Sequence, residues 1–316
     1  MRWGLIGARG LAARSCAPAI AQTAGAELVA VMSSDAERAR SFADEHGVQT
    51  ATTELDELLS APGLEAVWIA SPTFLHQRQA RAALQAGKHV LLEKPLAMSA
   101  SEGWELVQAA READVVLATG YQARYIPGHE EMRRLLGEGA IGQVSVARTY
   151  YGVHRPGPPP EWRQHRDSAH WGALADIGTH HIDLLRMLLG EVAEAKGISA
   201  HQLGFETDDV DVAALRFEAG TLATLAVSTN VWSPHTRVEL VGTEGALVAE
   251  DTSPNGQGSV TLLRPDAEPL DLSGDRPEAF PRQVDVITRV ASGEDLPYAT
   301  GEDGARNLEI LEQIAP

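Results

Sequence analysis

The first 120 residues alternate short apolar runs with helix-compatible stretches, and this alternation restricts the fold more than any other feature of the chain. Apolar runs stand at Arg2–Ile6, Glu27–Met32, Leu64–Ala70, His89–Leu92 and Val115–Thr119. Between them lie Leu11–Gln22, rich in alanine, the charged Asp35–His46, then Phe74–Ala86 and Ser99–Ala113. Gly47 and Gly87 follow two of these stretches and suit a left-handed helix end. Near-continuous apolar runs read as strands buried on both faces, and helices between them imply parallel strands joined by right-handed crossovers. The expectation is an α/β fold whose residues 1–120 form a Rossmann-type, doubly wound parallel sheet.

After Tyr121 the pattern changes. Glu130–Glu138 and Thr179–Leu189 read as helices, and Val144–Tyr151 alternates as a half-buried strand does. Four prolines in Gly152–Pro160 exclude regular structure there. Val212–Phe217 pairs with Leu222–Ser228 across Glu218-Ala219-Gly220, and Val238–Val241 with Leu247–Glu250 across Thr243-Glu244-Gly245. Val260–Leu263 reads as the last strand and Gly304–Ile314 as a final helix. Residues 121–316 are thus expected to form one α+β domain with an open, mostly antiparallel sheet, used for substrate binding and oligomerisation.

A formal net charge of -18 opposes a nucleic-acid partner, whose phosphates would be repelled. One cysteine, Cys16, cannot make an internal disulfide, which fits a reducing, cytoplasmic setting and a small buried side chain. Gly4 and Gly7 interrupt the apolar run after Met1-Arg2, so it does not read as a secretory leader. No stretch approaches the roughly 20 apolar residues of a membrane helix.

The first strand leads into Gly7-Ala8-Arg9-Gly10-Leu11-Ala12, a degenerate form of the glycine-rich dinucleotide turn with Arg9 at its second glycine position. A pyrophosphate at the helix start would meet free N–H groups and the positive end of the helix dipole. After the second strand an NAD enzyme usually offers an acid to the ribose hydroxyls. Ser33 and Ser34 stand there instead, Arg38 follows one turn on, and Asp35 reads as the helix N-cap. Hydroxyls with a guanidinium suit a 2′-phosphate, which favours NADP(H) over NAD(H).

The strand His89–Leu92 runs into Glu93-Lys94-Pro95, and carboxyl ends of parallel strands line the ligand crevice, so Lys94 should face it. A lysine beside an oxidised nicotinamide ring feels a like charge that disfavours its own charged form, which suits proton transfer. Asp176 and His180 are four apart at a helix start, hence on one face, where a carboxylate can fix the tautomer of an imidazole. Asp176, His180, His181 and Asp183 also resemble a metal-ligand cluster. However, adjacent helical side chains point about 100° apart, so His180 and His181 would not share an ion and no metal is expected.

These stretches resemble the glucose–fructose oxidoreductase / inositol dehydrogenase family (Gfo/Idh/MocA). The likeness rests on RWGLIGA at 2–8, the His76 region, AGKHVLLEKPLA at 86–97, GAIGQV at 139–144, Trp162-Arg163 and DIGTHHID at 176–183. Within the family, RWGLIGA with VMSSDAER at 31–38 looks most like the NADPH-dependent 1,5-anhydro-D-fructose reductases. The resemblance implies that Ser33 and Arg38 hold the 2′-phosphate, that Ser71, Pro72, His76 and Glu93 join Lys94 around the cofactor, and that Lys94, Asp176 and His180 form the catalytic group. Tyr121, Trp162 and Arg163 would line the substrate side. Two departures are Arg9 in the glycine-rich turn and Phe74, where the family commonly has Asn.

The expected protein is an NADP(H)-preferring oxidoreductase moving a hydride to or from a carbon of a sugar or cyclitol, in a homodimer or homotetramer. The alternatives are a dinucleotide-binding sensor without catalysis and an NAD-dependent inositol-type dehydrogenase. Intact Lys94, Asp176 and His180 count against the sensor.

Overall fold

The computed structural model describes residues 1–154 and 157–315. Strands, in order, are β1 (Arg2–Ile6), β2 (Glu27–Met32), β3 (Thr50–Thr52), β4 (Ala66–Ile69), β5 (His89–Leu92), β6 (Leu117–Thr119) and β7 (Val144–His154). They continue as β8 (Val192–Ala200), β9 (Val210–Phe217), β10 (Leu222–Ser228), β11 (Asn230–Gly242), β12 (Ala246–Glu250), β13 (Ser259–Leu263) and β14 (Leu270–Asp271). The helices are α1 (Ala17–Gln22), α2 (Ala36–His46), α3 (Leu55–Leu59), α4 (His76–Gln85), α5 (Ala100–Ala113), α6 (Pro127–Gly137), α7 (Arg166–Ala169), α8 (Thr179–Leu189), α9 (Ala279–Ala291) and α10 (Gly301–Ile314).

The chain divides into two compact units, Met1–Gly120 with Phe280–Ala305, and Tyr121–Ala279 with Arg306–Pro316. The first holds a six-stranded sheet in the order β3-β2-β1-β4-β5-β6, every neighbour parallel. This is the dinucleotide-binding order, with the reversal at β1/β4, where ligands bind outside the carboxyl ends of the strands. Helix ends follow the residues expected: Asp35 and Ser99 cap α2 and α5 through their side chains, and Gly47 ends α2 at φ 67°.

The expectation that everything from 121 onward forms one domain fails for Phe280–Ala305. Phe280, Val284 and Ile287 of α9 join Trp3, Leu5, Trp68 and Ala118 in the core of the first unit. A sheet with helices on both faces needs every face covered, and α9 supplies that cover from late in the chain.

The second unit carries an eight-stranded open sheet, β14-β13-β12-β11-β7-β10-β9-β8, antiparallel except where β7 and β10 run parallel. β7 continues to His154, past the expected limit at Tyr151, because Gly152, Val153 and His154 precede the prolines and keep their N–H groups. Arg155 and Pro156 of the proline-rich stretch lie outside the described residues. Val260–Leu263 is not the last strand, since β14 pairs beyond it. Alternation in β9 turns Asp211, Ala213, Leu215 and Phe217 inward, while Val212 stands more than half exposed on the outer face, at 54%.

Ile287→Ala should lower the stability of the first unit by about 2–5 kcal/mol, the cost of a buried large-to-small change. Hydrogen exchange would show it as faster exchange at β1 and β4 amides, with β9 and β10 unchanged.

Candidate active site

The nucleotide end forms at the carboxyl ends of β1 and β2. Gly7 N–H donates to the Met32 carbonyl at 2.9 Å, tying the first turn to the end of β2. Gly7 has φ +124°, and a Cβ there would stand 2.9 Å from the Ala70 carbonyl oxygen, so the turn requires glycine. Ala8 is half-buried, and Arg9 and Gly10 are exposed, so the Arg9 side chain takes no space from the turn. Leu11 and Ala12 open the helix, whose first residues, Ala12–Cys16, form a π-helical turn before α1.

Ser33 is buried and Ser34 exposed at the end of β2. Arg38 Nη1 donates to Ser33 Oγ at 3.2 Å. Asp35 turns its carboxylate to the helix start, accepting from Arg38 N–H at 2.8 Å. The strand end therefore presents a hydroxyl and a guanidinium side by side, a donor set that fits a phosphate monoester.

The turns after β4 and β5 meet through His76, which is buried. Its Nδ1 lies 2.9 Å from the Pro95 carbonyl oxygen and its Nε2 2.9 Å from that of Ser71. Burial lowers the His76 pKa, and the Lys94 charge lowers it further. Ser71 Oγ donates to Gln79 Oε1 at 2.5 Å, and Pro72 leads into the short turn Thr73–Leu75. Glu93 is buried, and its Oε1 accepts from Trp68 Nε1–H at 3.1 Å. A Cβ on Gly120 would come within 2.9 Å of the Glu93 carboxylate, so glycine at 120 leaves room for it. The Lys94–Pro95 peptide is cis. From Val90 through Ala97, Lys94 alone is more than marginally exposed.

In the second unit a helix begins at Ala173, widens into a π-helical turn over Leu174–Gly178 and continues as α8. Insertions of this kind often mark functional sites. From Ala173 through Arg186 every residue is buried except Asp176 and His180, which share one face. Asp176 Oδ1 forms a salt bridge with Arg163 Nη1 at 2.5 Å, and the Arg163 guanidinium stands 4.9 Å from the Trp162 ring centroid. Tyr121 is buried, its hydroxyl 2.8 Å from Thr179 Oγ1, with its ring edge-on to His180 at 6.0 Å. Burial raises the Tyr121 pKa and the charge of Asp183 raises it further, so the phenol stays protonated. Within this unit, Trp162, Arg163 and Asp176 form one contact group and Tyr121, Thr179 and His180 another, and Asp176 and His180 stand on the same helix start.

The neighbouring residues divide as the helix geometry requires. His181 is buried and stacks on Tyr151 at 5.0 Å, and burial, then the nearby His129, lowers its pKa to about 3. Asp183 is fully buried, taking 2.7 Å bonds from Arg124 Nε and Nη2 and a 3.0 Å bond from Asn307 Nδ2. Among the described residues no three His, Cys, Asp or Glu side chains are placed to hold a metal. Sequence reasoning missed Thr179, Gln79 and the Arg163–Asp176 pair. Thr179 could have been found, since it lies beside His180 in the same motif.

Two family models match the chain: the oxidoreductase family with an NAD-binding Rossmann fold (GFO_IDH_MocA) over residues 1–121, and the GFO/IDH/MocA C-terminal domain over residues 129–248. The chain is 37% identical over 312 residues to a 1,5-anhydro-D-fructose reductase from Ensifer adhaerens, covering 97% of this chain and 93% of that protein. Among solved structures it is similar to a 3-ketoreductase from Actinomadura kijaniata in complex with NADP and TDP-benzene, at TM-score 0.87 and 26% identity, over 99% of this chain and 96% of that one. A levoglucosan dehydrogenase in complex with NADH shares the fold at TM-score 0.90 and 24% identity, over 99% of this chain and 95% of that one.

The neutral burial of His181 and His129 makes the fold acid-sensitive. Burial lowers His129 to about 4 and His181 to about 3, so the unfolded chain takes up protons near pH 6.5 that the folded one refuses. Their contribution is whole above that pH and is lost on acidification, at up to about 1.4 kcal/mol per pH unit for each ring. His181→Phe should show a flatter fall of melting temperature between about pH 6.5 and 5 than the native protein. Parallel curves would contradict it.

Proposed function

The chain belongs to the Gfo/Idh/MocA oxidoreductase family, and from that premise we propose a sugar oxidoreductase moving a hydride to or from a carbon bearing C=O or CH–OH, with NADP(H) preferred. The observation that carries this reading is the pattern of exposure. Lys94 is the one accessible residue in the buried stretch after β5, and Asp176 and His180 are the accessible pair in the buried start of α8. Access kept at three proton-active groups within otherwise buried stretches of chain supports chemistry at them.

When bound, the nicotinamide ring supplies or accepts the hydride. Gly7 to Ala12 would hold its pyrophosphate, Ser33, Ser34 and Arg38 the 2′-phosphate, and Ser71, Pro72, His76 and Glu93 shape the ring end. Lys94 and His180 exchange the proton on the substrate oxygen, and Asp176 orients His180. Arg163 holds Asp176 in place, and Tyr121 and Trp162 line the substrate side. The single buried cysteine fits a reducing cytoplasm, and among the described residues no helix is long and apolar enough to cross a membrane.

NADPH should bind more tightly than NADH, and Arg38→Ala should abolish the preference. A charge-assisted contact to phosphate contributes roughly 1.5–3 kcal/mol, or about ten- to hundredfold in affinity. Calorimetric titration of both cofactors reads this directly, and equal affinities in the native protein would refute it.

Lys94→Ala and His180→Ala should bind NADPH as the native protein does, yet turn over a reducible sugar roughly 10²–10⁴-fold more slowly. Asp176→Ala should also slow turnover, whereas His181→Ala should cost less and added chelator nothing. Near-native turnover in the Lys94 or His180 variant would sink the assignment.

A homodimer or homotetramer is proposed from the outer face of the second sheet. Ile198, Val212 and Leu222 are exposed there at 80%, 54% and 53%, with Ile198 directly opposite Val212. A second copy covering that face would remove this apolar surface from water. Light scattering should return a multiple of the 33.8 kDa chain mass, and a single-chain mass at micromolar concentration would contradict it.

A further inference from the structure

Beneath the start of the helix that carries Asp176 and His180 lie three buried aspartates, Asp208, Asp209 and Asp211. Asp208 does the work of a cap. Its Oδ1 accepts from Gly172 N–H and its Oδ2 from Leu174 N–H, each at 2.8 Å, and its backbone carbonyl accepts from Ala173 N–H at 2.9 Å. Three successive N–H groups at the helix start thus end on one residue. A Cβ on Gly172 would stand 1.9 Å from the Asp208 carbonyl oxygen, so this close approach requires glycine. One residue earlier, Thr207 Oγ1 donates to the Arg163 carbonyl at 2.7 Å. The segment Thr207-Asp208 therefore fixes both members of the Arg163–Asp176 pair from below.

Asp209 is satisfied separately, accepting from Gln202 and Leu203 N–H. Asp211 is not. It is fully buried on the inward face of β9, and neither carboxylate oxygen meets a hydrogen-bond donor among the described residues. Its cross-strand neighbours are Ser199 on β8 and Val227 on β10, and Val227 packs against Gly178 in the π-helical turn. The charges acting on Asp211 most strongly, Asp208 and then Asp209, are both negative, and Ser199 is its hydroxyl neighbour. An ionised Asp211 would be a dry carboxylate beside a second one, with no N–H partner and only the Ser199 hydroxyl acting in its favour, which is costly enough that such a group takes up a proton.

We propose that Asp211 is a neutral carboxylic acid that donates its proton to the Asp208 carboxylate, and that this buried acid pair is a positioning device for the turn bearing Asp176. The division of the proton follows from the surroundings. The Asp208 carboxylate has two N–H partners and the positive end of a helix dipole to stabilise its charge, and Asp211 has no N–H partner. Each Asp208 oxygen already takes one N–H and retains a lone pair for another donor. Burial, then the neighbouring Asp208, pushes Asp211 far above the ordinary carboxylate range, in agreement with that geometry. Ionising Asp211 would place two charges side by side and pull Asp208 from the helix start, displacing Asp176.

The effect on turnover rests on the function proposed above, but the proton can be read without any substrate. Infrared spectroscopy of the native protein at pH 7 should show the C=O stretch of a protonated carboxyl, and Asp211→Asn should lack it. Asp211→Ala should lower kcat roughly ten- to hundredfold through misplacement of Asp176, leaving the dissociation constant for NADPH unchanged. Asp211→Asn, whose amide still donates to Asp208, should recover most of that loss. Absence of the band in the native protein overturns the proposal, as does a melting temperature lowered by chelator, which would mean that a cation rather than a proton neutralises the cluster. Equal kcat for native and Asp211→Ala overturns the positioning role. If no sugar is turned over, the functional reading fails while the band still decides the acid pair.

Discussion

A parallel strand covered on both faces can show polar chemistry only where it ends. That constraint governs the first unit. β5 is buried along Val90-Leu91-Leu92, and the chain turns polar at Glu93 and Lys94 as it leaves the sheet. Glu93 turns inward to Trp68 and leaves Lys94 as the group that reaches solvent. The same constraint places Gly7, Ser33 and Ser71 at the ends of β1, β2 and β4, so four strand ends carry the residues of the candidate cofactor site. His76 braces two of those turns against each other.

In the second unit the constraint is a helix buried nearly all round. Such a helix cannot choose its exposed positions by amphipathicity, so access depends on how its first turn is held. The π-helical turn shifts the register at Leu174–Gly178, and Asp208 anchors its N–H groups from below. Thr179, Tyr121 and His180 then pack as a hydroxyl, a phenol and an imidazole around one helix end.

Most of the parallel half was legible because β1, β2, β4 and β5 are largely apolar runs and α2 and α5 begin at Asp35 and Ser99, whereas β3, Thr-Ala-Thr, and the short α3 were missed, since neither carries an apolar run. β8 was not, since Val-Ala-Glu-Ala-Lys-Gly-Ile-Ser-Ala mixes weak strand formers with a glycine and draws its order from pairing with β9. α9 was missed for a different reason: its partners, Trp68 and Ala118, are more than 150 residues earlier, and no local pattern reports them. The candidate site divides similarly. Lys94, Asp176, His180 and Arg38 could be found by position in a motif. The Arg163–Asp176 pair and the Asp208 cap could not, because both join segments with no common period. Asp208 and Asp211 in particular sit in an acidic run, Thr-Asp-Asp-Val-Asp, whose polar side chains are all buried, and no local pattern reports that.

Asp176 and Asp183 show how one helix separates chemistry from support. Both are paired with an arginine, Arg163 and Arg124, at 2.5 and 2.7 Å. Asp183 is completely buried and adds Asn307, so its ion pair has the full set of partners that a dry charge requires. Asp176 keeps 14% of its side chain accessible and its partner 30%, so this pair meets solvent. The two carboxylates are seven residues apart, and what distinguishes them is depth, Asp183 at 0% side-chain exposure and Asp176 at 14%. The deeper pair holds the helix to the unit, and the shallower one stands at its accessible end.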